Sequence, residues 1–243
     1  KAAIESGVGR KTITDWDAYK KSLMELLGQE SKLTRKLHDT ARLHPQRVVF
    51  AEGGHPTMMK AAVQAKTEGI CQPILLGNPD RLNRLAQRLK LDLSDIEIVD
   101  MRADQEQGRR ATYAKHLAKK RARQGYNFEE AYDKMYERNY FGMMMVETGE
   151  ADAFITGLYT KYSNTIKVAK EVVGIRPEYK TFATMHILNT KKGTFYISDT
   201  LINRHPDENV LMDVAKLSAH TVQFFNEEPH IAMISYSNFG TDE

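Results

Sequence analysis

Two short apolar runs in this chain end in a glycine turn with a helix start directly behind. Val48-Val49-Phe50 leads into Glu52-Gly53-Gly54 and a helix opening at Pro56, and Ala153-Phe154-Ile155 leads into Gly157 and a helix opening near Ser163. Such a turn gathers backbone N–H groups and the positive end of a helix dipole at one spot, where an anion binds. Lys161 adds an ammonium group beside the second turn. The chemistry these residues suit is capture of a phosphate-bearing small molecule. A lone glycine between a strand and a helix is more often plain connection than a ligand cradle, and Ser163 and Asn164 also fit a helix-capping role.

The elements that must position these turns alternate along the chain. Val48–Phe50, Ile74–Leu76, Ile96–Val99 and Ala153–Thr156 read as short strands, while Pro56–Glu68, Arg81–Leu89, Gln105–Arg123, Phe128–Thr148 and Ser163–Val173 carry apolar residues at helical spacing. This alternation predicts an α/β fold around largely parallel sheets, with both glycine turns on the carboxyl edge where ligands bind. Asp15–Leu27 is expected as a helix, Thr181–Leu188 and Thr194–Ser198 as an antiparallel hairpin, and Asp207–Phe225 as a further helix. A buried strand over Ile231–Tyr236 then runs into Asn238-Phe239-Gly240, another strand-to-glycine turn.

Composition excludes several classes. With 243 residues, 41% hydrophobic and 28% charged, the chain can bury one large or two small α/β cores and is not of disordered type. No apolar run approaches the roughly 18 residues of a membrane span, and the first residues do not read as a signal peptide. A single cysteine, Cys71, leaves no internal disulfide and fits a cytoplasmic location. A net charge of +3 does not argue for nucleic acid. The run Arg109–Arg123 has no acid within it and reads first as a solvated helix face, with nucleotide phosphates or nucleic acid as alternatives. Met143-Met144-Met145 reads as core or interface packing. His55, His186 and His205 stand at no ligand spacing, so no metal is expected, and no Gly-x-Gly-x-x-Gly run marks a dinucleotide site.

Taken in order, Phe50-Ala51-Glu52-Gly53, Asn139-Tyr140-Phe141-Gly142, Ala151-Asp152-Ala153 with Gly157, Pro206-Asp207 and Ala232–Ser237 resemble the phosphate acetyltransferases over roughly Arg47 to Gly240. The resemblance is closer still to the phosphotransacetylase-like C-terminal half of large bacterial NADP-dependent malic enzymes. Lys1–Arg10 is similar to the end of their catalytic domain, and Tyr236–Gly240 to their last strand turn.

The resemblance implies a piece of a longer polypeptide: residues 1–46 a helical linker from an upstream malic enzyme domain, 47–140 a first α/β lobe, and 141–243 a second lobe, cut short, with a cleft between them. It also implies pairing of copies through this domain, with the Met-rich helix after Asn139 as adaptable apolar surface. The parent would oxidise and decarboxylate malate to pyruvate with NADP and a divalent metal, Mg or Mn, neither held by this segment. Phosphate acetyltransferases carry a His-Ser-Thr run and then an aspartate, threonine and arginine behind the second glycine turn. This chain has Thr160-Lys161-Tyr162, then Ser163, Asn164, Thr165, Ile166 and Lys167. An asparagine amide is no base, and Thr57 stands near the place of another basic residue. The resemblance therefore implies an acetyl-CoA or related acyl-CoA site without turnover, formed by Gly53, Gly54, Gly157, Lys161, Ser163, Asn164, Thr165 and Lys167. An active phosphate acetyltransferase is the alternative.

Overall fold

The computed structural model describes residues 15–26, 32–190 and 192–234. They fall into two compact units, one of His38–Phe182 and one of the residues up to Leu37 together with those from Ala183 onward. In chain order the helices and strands begin with α1 (Trp16–Leu26), α2 (Lys32–Leu43), β1 (Gln46–Phe50), α3 (Pro56–Thr67) and β2 (Cys71–Leu76). They continue with α4 (Pro79–Leu89), β3 (Glu97–Val99), α5 (Gln107–Arg121), α6 (Phe128–Lys134), α7 (Arg138–Glu147), β4 (Ala153–Ile155) and α8 (Tyr162–Val172). A hairpin of β5 (Met185–Thr190) and β6 (Gly193–Ser198) precedes α9 (Glu208–Phe224).

The unit His38–Phe182 is built on a parallel sheet of order β3-β2-β1-β4, with Val49 opposite Ile74 on one side and Phe154 on the other. Alternate residues of β1 serve two cores. Val48 and Phe50 pack with Met59, Leu82 and Ala86 from α3 and α4; Val49 packs with Tyr113, Leu117, Phe141 and Val172 from α5, α7 and α8. Helices on both faces explain why Val48-Val49-Phe50 is an unbroken apolar run rather than an alternating one. Two glycines of this unit are set by close approach. A Cβ on Gly53 would lie 2.9 Å from the Leu76 carbonyl oxygen, and one on Gly142 would lie 2.3 Å from Phe154 Cε2.

Helix starts follow local chemistry. Pro56 and Pro79 open α3 and α4, where a missing N–H costs nothing. The Asn78 side chain accepts from the Arg81 N–H at 3.2 Å. His55, an unusual cap, accepts from the Thr57 N–H through Nδ1 at 3.1 Å. Asn127 and Glu130 close a reciprocal capping box on α6.

The sheet corrects the expected lobe boundary. The division at 140/141 falls inside α7, and β4, assigned to the second lobe, pairs with β1 in the same sheet. The compact units divide instead after Leu37 and Phe182. The helix expected over Phe128–Thr148 also breaks in two. Around Met135 the N–H groups of Met135, Tyr136 and Glu137 bond three residues back, to Tyr132, Asp133 and Lys134, which tightens and ends α6. Met143, Met144 and Met145 are 6%, 0% and 1% exposed, so the methionine run is core and not a surface for another copy.

At the amino edge, Arg47 forks onto Asp152, with Nη2 2.8 Å from Oδ1 and Nε 3.1 Å from Oδ2, and its own N–H donates to Oδ2 at 2.8 Å. The Arg47 side-chain and backbone hydrogen bonds hold the Asp152 carboxyl at about 2, below its ordinary 3.8. Because the folded-state value is depressed, this contribution is complete above pH 3.8 and is lost as pH falls through about 2. We expect the stability gap between wild type and Asp152→Asn, measured by urea unfolding, to close as pH falls from 4 towards 2. A gap independent of pH over that window would exclude the fork as its source.

In the other unit, Asp15 caps α1 by accepting from the Ala18 N–H at 2.9 Å, and Asp207 caps α9 by accepting from Val210 at 2.8 Å. The hairpin pairs in register from Met185–Ser198 to Thr190–Gly193. Ser218 on α9 donates to Ser198 on β6 at 2.6 Å, and Tyr196 stacks on Phe225. The strand expected at Ile231–Tyr236 is not formed over Ile231–Ile234, where Ile234 is 92% exposed. Among the described residues β5 and β6 form a two-stranded sheet, and neither pairs with this segment. The remainder of that strand, the Asn238-Phe239-Gly240 turn and the motif at Lys1–Arg10 lie outside the described residues. No helix among the described residues is long and apolar enough to cross a membrane.

Candidate functional site

From β1 the chain moves outward through β2 and β3, then returns to the other side of β1 with β4. The order therefore reverses between β1 and β4, and the crevice at their carboxyl ends is where open α/β sheets take ligands. Both glycine turns lead out of this edge. What joins them is Glu52, 1% exposed. Its Oε1 accepts from the Thr156 hydroxyl at 3.0 Å and from the Gly157 N–H at 3.2 Å. The Thr156 hydroxyl also lies 3.1 Å from Asn139 Oδ1, so one proton is shared between two acceptors. Asn139 Nδ2 reaches Thr165 Oγ1 at 3.5 Å. The chain Glu52–Thr156–Asn139–Thr165 ties the β1 turn, the β4 turn, α7 and α8 together. Glu52 Oε2 is buried and has no hydrogen-bond partner among the described residues.

The expected ligand residues are only partly assembled. Gly53 and Gly157 are joined through Glu52, but the Gly157 N–H is taken by that carboxyl instead of facing a ligand. Gly54 opens on a different groove, over α4, where a Cβ would meet Leu82. The start of α8 lies one residue earlier than the sequence suggested, and Lys161, not Ser163 or Asn164, is its N-cap. Lysine offers no acceptor, and among the described residues no side chain caps the first turn of α8. Lys161, Ser163, Asn164 and Lys167 are exposed, whereas Thr165 is half-buried against Asn139. Lys167 Nζ lies 3.9 Å from Glu171 Oε1, a loose surface pair worth at most about 1 kcal/mol. His55 meets Tyr159 edge to face at 5.3 Å, and the Arg138 guanidinium sits 5.6 Å over the same Tyr159 ring.

Behind α8 lies a second polar cluster. Glu171 Oε2 accepts from Tyr126 at 2.5 Å and also from Tyr140, while Lys134 sits 4.6 Å over the Tyr140 ring. Burial works to raise the Glu171 carboxyl, but the two phenol donors and the Lys134 and Lys167 charges outweigh it and hold it below its ordinary value. Burial and the Glu171 carboxylate push the Tyr126 phenol up to about 12. Such tyrosines are fixed hydrogen-bond donors rather than proton carriers near neutrality.

Sequence reasoning missed Glu52, Asn139 and Thr156 as site residues, although each lies in or beside a motif it had singled out. It also read Arg109–Arg123 as a basic face, and the structure answers much of that charge from elsewhere. Arg109 pairs with Glu106 and Glu150, Lys120 with Glu147, and Arg121 donates to the Glu171 carbonyl at 2.6 Å. Among the described residues no three His, Cys, Asp or Glu side chains are grouped to hold a metal ion.

The family described as phosphate acetyl/butaryl transferase matches residues 32–243. The NADP-dependent malic enzyme of Escherichia coli (strain K12) is 33% identical over 247 residues, covering 100% of this chain and 32% of that protein. The phosphate acetyltransferase of Thermoanaerobacterium thermosaccharolyticum is 29% identical over 216 residues, covering 86% of this chain and 64% of that enzyme. The solved EutD phosphotransacetylase from Staphylococcus aureus superposes with a TM-score of 0.74 at 26% identity, over 87% of this chain and 63% of that one. A phosphotransacetylase from Streptococcus pyogenes gives 0.76 at 25% identity, over 88% and 65%. This chain thus spans about a third of the malic enzymes it matches.

Proposed function

Because the chain belongs to the phosphate acetyl/butaryl transferase family, we propose that it is a phosphotransacetylase-like regulatory and assembly domain of an NADP-dependent malic enzyme, binding acetyl-CoA or a related acyl-CoA without turning it over. The observation that carries this reading is Asn164. It sits exposed in the first turn of α8, its side-chain amide has no hydrogen-bond partner among the described residues, and no base is bonded to Ser163 beside it. Acetyl transfer needs a group that takes the thiol proton of CoA, and an amide does not. Binding is less demanding. Lys161, the Ser163 hydroxyl and the side-chain-uncapped amides of α8 are donors suited to phosphate.

The parent activity in this reading is oxidation and decarboxylation of malate to pyruvate, in a cytoplasmic homo-oligomer. NADP and Mg or Mn belong to the rest of that polypeptide. The described residues carry no cluster fit for the metal, and the sequence has no dinucleotide-binding glycine run, so no step through either is assigned to this chain.

Calorimetry with acetyl-CoA on wild type and Lys161→Ala tests the binding half: the variant is expected to lose about 1 kcal/mol. Unchanged affinity places the ligand elsewhere. A thioester-cleavage assay with phosphate tests the other half: acetyl-CoA is expected to persist, and rapid phosphorolysis establishes the active phosphate acetyltransferase instead.

A further inference from the structure

A groove lined by three arginines lies on the opposite face of the sheet from α8. α8 packs through Val168 and Val172 into the core that contains Val49, whereas α4 packs through Leu82 and Ala86 into the core that contains Val48 and Phe50. Between α4 and the β1 turn is a groove of about 370 Å³ lined by Gly54, Arg81, Arg84, Leu85 and Arg88. The three arginines stand at i, i+3 and i+7, so they form one row along α4 spanning about 10 Å. All three are exposed, and among the described residues none is in an ion pair. Elsewhere in the unit Arg47, Arg109 and Lys120 are matched by carboxylates. A smaller hollow of about 180 Å³ at the amino edge has its arginine, Arg47, already bound to Asp152.

From this row we propose that the groove binds a short polyphosphate chain, either free or as the phosphate chain of a nucleotide. Planar guanidinium forks match phosphate oxygens two at a time. A row about 10 Å long engages successive phosphates, and a single orthophosphate uses only part of it. The side of the groove at Gly54 has no side chain, which lets phosphate approach the backbone. No aromatic side chain lines the groove, so it offers no platform for base stacking; that disfavours single-stranded nucleic acid. The site is independent of the acyl-CoA reading, since it uses neither Lys161 nor the α8 turn.

Calorimetry on the whole chain at matched ionic strength, with orthophosphate, pyrophosphate and tripolyphosphate as probes, tests this. Affinity is expected to rise along that series, with tripolyphosphate about ten-fold or more tighter than orthophosphate. Arg84→Gln should weaken tripolyphosphate about five-fold or more, and the triple variant R81Q/R84Q/R88Q should bind it no better than orthophosphate. These are exposed side chains, and an unchanged circular dichroism melt confirms that the variants fold. Lys161→Ala should leave tripolyphosphate binding unchanged, which separates this groove from the acyl-CoA site. ATP binding as tightly as tripolyphosphate supports recognition of the phosphate chain alone. The proposal is overturned if the triple variant binds tripolyphosphate like wild type, if Lys161→Ala abolishes that binding, or if a DNA single strand displaces it at equal phosphate concentration.

Discussion

Replacing Arg110 with alanine is expected to lower the unfolding free energy by about 4 kcal/mol, and replacing it with methionine by about 2. Arg110 is 2% exposed, and among the described residues no carboxylate faces it in an ion pair. Its Nη1 donates to the carbonyls of Met101 at 2.7 Å and Ala103 at 2.8 Å, in the turn that joins β3 to α5. Its guanidinium also lies 4.6 Å over the Tyr136 ring. Ala103 keeps another partner in the Glu106 N–H, so the carbonyl of Met101 is the one left stranded when the arginine goes. Alanine removes the hydrogen bonds and opens a cavity. Methionine fills most of the space and removes only the bonds. Relief of the buried charge works in the opposite direction and is why methionine costs less than two charged hydrogen bonds summed. Urea unfolding followed by circular dichroism measures both variants. A methionine variant as stable as wild type would mean that these carbonyl contacts contribute nothing net.

The reason Arg110 escaped the sequence reading also marks what a sequence exposes. Val48-Val49-Phe50 had to be a doubly covered strand, and Gly53 had to be a turn, because composition at those positions leaves few alternatives. Helix starts at Pro56 and Pro79 are equally local. The charges are not. Arg109–Arg123 contains no acid, so it read as a basic face, while Glu147 and Glu150 reach it only through folding and Glu106 stands just ahead of it. The break at Met135 is hidden for a related reason: apolar periodicity continues across it, and only a buried side chain and three tightened turns record it. Ile231–Ile234 failed the other way. A strand-like run needs a neighbouring strand, and among the described residues none pairs with it. In the site, the glycines were legible, but the acceptor that takes the Gly157 amide lies 105 residues away.

That acceptor carries the other large expected effect. Glu52→Ala should cost about 3 kcal/mol of stability and Glu52→Gln about 1 to 2. Alanine strands the Gly157 N–H, leaves Thr156 with Asn139 as its remaining acceptor and empties a buried site. Glutamine keeps the Oε1 acceptor, yet it puts an amide donor where Glu52 Oε2 has no partner among the described residues, so the loss is smaller but not zero. The two turns join strands far apart in sequence, and the tie between them is thus a tertiary one that a double-mutant cycle can isolate. Thr156→Val combined with Glu52→Ala should cost about 1 kcal/mol less than the two single changes added, the signature of a shared hydrogen bond. Thr221 on α9, whose hydroxyl donates to the Leu217 carbonyl in its own helix, provides the control: Thr221→Val should add to Glu52→Ala without coupling. Strict additivity in the Glu52–Thr156 cycle would mean that the contact carries no energy, and the crevice between β1 and β4 would then have to be held by the backbone ladder alone.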